Sequence, residues 1–89
     1  MFYTYVLNCT DENKRRKFYI GSTDDLRARL VRHKNGFVKT TKNFNNVELI
    51  YYEACLDKTD ARKRELQLKT GFGRGYLKNR LESYNAGLV

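Results

Sequence analysis

Apolar and aromatic side chains crowd the start of the chain, and the alternation of an extended backbone sorts them into two faces. Tyr3, Tyr5 and Leu7 fall on one face, with Phe2, Thr4 and Val6 on the other. The polar run Asp11-Glu12-Asn13-Lys14 supplies a turn before Lys17-Phe18-Tyr19-Ile20, where Tyr19 opposes Phe18 and Ile20, so the two segments read as a hairpin. Ser22 or Thr23 is then placed to cap a helix that runs from about Asp24 to Asn35. Asp24 and Asp25 would lie in its first turn and Gly36 would terminate it. After a polar loop, Val47 to Ala54 reads as a third strand. Asp57 caps a second helix that runs through Lys69 and is ended by Gly71. Leu77, Leu81 and Tyr84 recur at helical spacing and predict a short third helix from Gly75 to Tyr84. The order ββαβαα predicts an α/β protein of the α+β type, with a small three-stranded, mainly antiparallel sheet flanked by helices.

No Pro/Ser-rich linker, low-complexity run or repeat divides the sequence, and 89 residues suit one domain over 1–89 with a modest core. The formal net charge of +8 adds a functional bias. Lys and Arg that settle on phosphates release condensed counterions, so a polyanion is the expected partner. An anionic membrane would attract the same charge, but a basic amphipathic helix with a broad apolar face is missing, as is any apolar stretch of secretory or membrane length. Cys9 and Cys55 are too few for a disulfide framework or a zinc site, and a reducing cytoplasm is the expected compartment.

Three residues stand out chemically. Arg29 and His33 lie four apart on the first helix and share a face, from which both could approach one phosphate. The guanidinium can hold two phosphate oxygens and stabilise charge that builds in a transition state. Arg27, Arg32 and Lys34 nearby make a solvated basic face an equally good reading of the helix taken by itself. Glu65 falls beside the inward stripe of Ala61 and Leu68, where a carboxylate needs a cation or hydrogen-bond donors. Mg²⁺ would serve, and so would Arg62 or Lys69 along the same helix.

The ordered set Tyr5, Tyr19-Ile20-Gly21, Arg29, His33 and Glu65 resembles the signature of the GIY-YIG nucleases. Its first half is degenerate, reading Tyr3-Thr4-Tyr5. The likeness continues through Gly21-Ser22-Thr23-Asp24-Asp25-Leu26, Glu48-Leu49-Ile50-Tyr51-Tyr52-Glu53, and Ala61 to Lys69-Thr70-Gly71. Small standalone bacterial members and the nuclease half of excision-repair and homing enzymes share these motifs. The resemblance implies the same fold and a DNA endonuclease using one divalent ion, Mg²⁺ or Mn²⁺, bound by Glu65. It places Tyr5 and Tyr19 at the active site, where either phenol could be the base and Tyr19 is preferred by a small margin. Arg29 and His33 would serve the phosphate or relay a proton. Gly21 would let the backbone leave the strand beneath the site. Tyr51 and Tyr52 read as packing residues. Arg27, Arg32, Lys39 and Lys42, the last two beside Thr40 and Thr41 in a polar loop, are expected to contact the DNA backbone. Asn79 sits at roughly the distance of a further family asparagine but points away from the Leu77/Leu81/Tyr84 stripe. A nucleic-acid-binding module with little turnover, or a catalytic subunit whose protein partner supplies DNA recognition, is the alternative reading.

Overall fold

In the computed structural model, which describes residues 1–87, three strands form one antiparallel sheet: β1 (Phe2–Thr10), β2 (Arg16–Thr23) and β3 (Asn46–Cys55). Their order is β2-β1-β3, so the first strand is central. The helices are α1 (Leu26–Lys34), α2 (Lys58–Leu68), α3 (Gly71–Arg80) and a single turn and a half, α4 (Glu82–Ala86). The expected α+β fold and element order are present. No described helix is long and apolar enough to cross a membrane.

The central strand carries the core because both of its faces are covered. Tyr5, Leu7 and Cys9 pack with Val47 against Leu26 and Leu30 of α1, while Val6 packs with Leu68 and Leu77 of α2 and α3 on the other side. A bulge in the β1–β3 pairing falls between Val6 and Leu7, whose partners are Tyr51 and Leu49. The extra residue, Ile50, lets Ile50 and Tyr51 both join the α2–α3 side. There the Tyr51 hydroxyl donates to Glu53, and the Arg64 guanidinium holds the same carboxylate through Nε and Nη2 at 2.9 and 3.0 Å while lying over the Tyr76 ring. This network ties β3, α2 and α3 together. Tyr52 behaves differently from the packing expectation: it is exposed, touching Tyr3 edge-on.

Helix boundaries depart from the sequence expectation where side chains serve another element. Asp25, whose carboxylate accepts from the Ala28 amide, caps α1, because Ser22 and Thr23 still belong to β2. Neither aspartate therefore lies in the first turn. Gly36 does terminate the helix, with φ +76°. Asp57 caps α2 as expected, but Thr70 immediately caps α3, so Gly71 opens a helix instead of ending one. The predicted third helix accordingly starts four residues early and breaks at Leu81.

The tight α2–α3 corner depends on Gly73. A Cβ there would lie 2.3 Å from the Leu68 backbone, which has no flexible end to give way. Gly73→Ala is therefore expected to destabilise the domain by about 3 kcal/mol through overpacking. Nothing lies within 4 Å of a Cβ on Gly75, in the same helix. Gly75→Ala should stabilise by up to about 1 kcal/mol. Urea unfolding of the two variants measures the contrast, and equal effects would refute the close approach at Gly73.

Candidate active site

On the α1 face, β-pairing sets Tyr5 directly across from Gly21 and Leu7 across from Tyr19. The last turn of α1 lowers His33 between the two tyrosines, with ring centroids 5.7 Å from Tyr5 and 4.8 Å from Tyr19. His33 and Tyr5 are each 1% exposed, whereas Tyr19 is half-buried and borders solvent. The Tyr5 hydroxyl lies 2.8 Å from His33 Nε2, and Thr41 Oγ1 lies 2.8 Å from Nδ1. Thr41 Oγ1 can donate onward to the Val38 carbonyl. The consistent assignment puts the imidazole proton on Nδ1, donating to Thr41, so that Tyr5 donates to Nε2. Since both ring nitrogens are engaged within the protein, no ring N–H is left to donate to a phosphate.

This arrangement explains Gly21 differently from the expected strand exit. The strand continues to Thr23, and a Cβ at Gly21 would lie 2.6 Å from Tyr5 Oη and 2.7 Å from Cζ. The missing side chain is the space in which the Tyr5 phenol lies.

Burial, with Arg29 and Arg32 adding repulsion, pushes the His33 pKa down to about 4, so the ring is neutral at pH 7. Burial also raises the Tyr5 pKa, Tyr19 raises it further, and Arg29 partly offsets both. A pH dependence follows with a definite sign. Between about 6.5 and about 4 the unfolded chain binds the His33 proton and the folded one does not. Stability should thus fall on acidification across that window, by about 3 kcal/mol in all. An NMR titration of the ring is expected to give a midpoint near 4. A midpoint near the ordinary histidine value would contradict the enclosed, doubly bonded ring.

Glu65 reaches the sheet from α2 on the opposite face and is 5% exposed. Ser22, on β2, donates to Oε1 at 2.7 Å, while Arg62 and Lys69 donate to Oε2 at 2.6 and 2.7 Å. Burial alone would raise the carboxyl pKa, but the bonds from Lys69, Ser22 and Arg62 outweigh it and hold the group ionised below its usual range. Both cations considered from the sequence are therefore on Glu65 together. Among the described residues no group of three or more His, Cys, Asp or Glu could hold a metal. The donor set fits Mg²⁺ or Mn²⁺ kept mostly by water and substrate oxygens on one carboxylate, with Oε2 released by at least one of its cations, and does not fit an all-protein zinc site.

Arg29 connects the two halves. It is half-buried and lines a cavity of about 220 Å³ together with Ser22, the serine that holds Glu65, and with Asp24, Lys58 and Ala61. Tyr5 senses both Arg29 and Glu65 electrostatically. Arg27, Arg32, Lys39 and Lys42 are all exposed, and Arg27 opens onto a separate cleft beside Tyr52. Asn79 is exposed on α3. Two partners were not legible as such. Ser22 reads as a helix cap, although the alternation that puts it on the Ile20 face was available. Thr41 reads as a solvent loop residue, yet it is 1% exposed, and no local pattern marks a loop side chain that folds under a helix.

Residues 1–85 match the profile of the GIY-YIG catalytic domain. Among curated relatives, a UPF0213 protein of Staphylococcus epidermidis is 38% identical over 69 residues, covering 76% of this chain and 79% of its own. One from Clostridium perfringens is 37% identical over 70 residues, covering 78% and 71% of the two chains. One from Lacticaseibacillus paracasei is 41% identical over 69 residues, covering 76% and 73%. No solved structure matches significantly.

Proposed function

This chain belongs to the family of GIY-YIG catalytic domains, a family of nucleases, and we propose that it is a DNA endonuclease of the bacterial cytoplasm that hydrolyses phosphodiesters with one divalent ion, Mg²⁺ or Mn²⁺. The observation that carries this reading is the buried, ionised Glu65 on Ser22, with Arg29 lining the cavity against the same serine. Glu65 would hold the ion, which would supply Lewis acidity and positive charge at the phosphate. Arg29 would pair with the non-bridging phosphoryl oxygens as negative charge accumulates on them.

The proton path follows from burial. Tyr19 is the phenol that borders solvent, so it is the one to contact the attacking water. Tyr5 and the neutral His33 lie behind it, and Tyr5, kept protonated by burial and donating to Nε2 across 2.8 Å, would serve as a positioning group. Thr41 fixes the tautomer that keeps Nε2 free to accept. Attack at phosphorus with loss of the 3′ oxygen leaves 5′-phosphate and 3′-hydroxyl ends. Arg27, Arg32, Lys39 and Lys42 would contact the flanking phosphates without reading sequence.

The phenol assignment is testable under single-turnover, metal-saturated conditions. The wild-type rate should rise about tenfold per pH unit below the pKa of the base. Tyr19→Phe is expected to slow cleavage and flatten that profile, whereas Tyr5→Phe lowers the rate and keeps the slope. Exchanged behaviour reverses the assignment. Single-stranded, duplex, flap and branched DNAs incubated with Mg²⁺ or Mn²⁺ test the activity itself, and absence of metal-dependent products from all four would defeat it.

A further inference from the structure

Because β2 is an edge strand, the backbone between Arg16 and Ile20 pairs with β1 on one side only. Along its free side runs a groove of about 720 Å³, bounded across from β2 by α3 and the end of α2. Its walls carry Arg16 and Lys17 from β2, Lys69 after α2, and Arg74 and Lys78 one turn apart on α3. No Asp or Glu lines it. Arg16, Lys17, Arg74 and Lys78 are exposed and make no ion pair with a described residue. Between them the groove is lined by Phe18 and Ile20, both half-buried, over the buried Leu68 and Leu77, so its floor is apolar. A wall of uncompensated cations over an apolar floor matches a strand of nucleic acid, which presents phosphates outward and base faces inward. An acidic protein surface would satisfy the charges and leave the floor unmatched.

Two residues connect the groove to the site already described. Tyr19 lines it, and Lys69 lines it while its ammonium bonds Glu65. We propose that this groove is a second nucleic-acid-binding site, seating the strand that runs on from the scissile phosphate. Arg16, Lys17, Arg74 and Lys78 hold its backbone, and Phe18 meets a base. The path rests on the nuclease reading above, while the binding itself does not. It also differs from the α1 and loop cations singled out in the sequence, none of which lines this groove.

The test uses the whole chain with EDTA present, so that no turnover is required. Arg74→Gln with Lys78→Gln alters two exposed side chains, and Lys14→Gln with Lys63→Gln removes equal charge elsewhere. Fluorescence anisotropy of a labelled oligonucleotide over a salt series is expected to show roughly tenfold weaker binding for the groove pair. Its log–log salt slope should be shallower by about 1.5, and the control pair should change much less. Phe18→Leu, which keeps an apolar side chain but removes the stacking ring, should also weaken oligonucleotide binding while leaving binding of poly-glutamate unchanged. Equal losses for the two charge pairs would overturn the groove assignment. So would an Arg74/Lys78 loss matched by the same loss on poly-glutamate and no effect of Phe18→Leu, which would describe an acidic-protein site. If the wild type cuts no DNA but the groove pair loses binding, the groove stands and the nuclease reading falls.

Discussion

Glu65→Gln is expected to reduce metal-dependent cleavage to the background of the assay while the domain stays folded. Glutamine has nearly the same volume, and its amide can still pair with Ser22 and with one of the cations now on Oε2. What it loses is the negative charge that a divalent ion requires. Arg62 and Lys69 are each about half exposed at the side chain, so releasing them into water should cost the fold only about 1 kcal/mol. Circular dichroism and a urea melt check the fold, and a nicking assay checks the chemistry. Wild-type turnover by this variant would remove Glu65 from the site.

The second large effect is expected at Arg29. Arg29→Ala should slow cleavage by ~10²–10³-fold, the scale for losing one preorganised group that stabilises developing charge. The same helix supplies an internal comparison, because Arg27 is exposed and opens onto a different cleft, whereas Arg29 is half-buried, lines a cavity with Ser22 and acts electrostatically on both Tyr5 and His33. Arg27→Ala should therefore be mild, acting on DNA affinity through one phosphate contact. Comparable losses of rate for the two variants would favour a merely basic helix face.

Alternation and capping chemistry made the strand pair, α2 and the end of α1 readable, since each depends on neighbours a few residues apart. Alternation put Tyr5 and Tyr19 each on a definite face of its own strand, but only the hairpin register brings both onto the α1 side of the sheet. The shifted starts of α1 and α3 were less accessible. Ser22 and Thr23 are good caps on local grounds, but pairing with β1 keeps them in the sheet, and tertiary pairing overrides a local preference. Glycine gave two signals that sequence alone could not separate. Gly21 and Gly73 make room for Tyr5 and for the Leu68 backbone, respectively, while Gly36 takes a positive φ. The inward position of Glu65 was visible on a helical wheel, but its simultaneous capture by Ser22, Arg62 and Lys69 was not. That capture depends on how α2 lies on the sheet. The same applies to Thr41, which reaches His33 only because the loop after α1 folds back beneath it.

The central claim is phosphodiester hydrolysis at the site containing Glu65, and the most direct measurement is nicking of supercoiled plasmid by protein carried through one purification beside its Glu65→Gln variant. The wild type should open the circle with Mg²⁺ or Mn²⁺, stop on addition of EDTA, and leave nicks that DNA ligase reseals without kinase treatment, because the ends are 5′-phosphate and 3′-hydroxyl. Nicking that is equal in wild type and variant, or absent from both across these metals, would contradict the account.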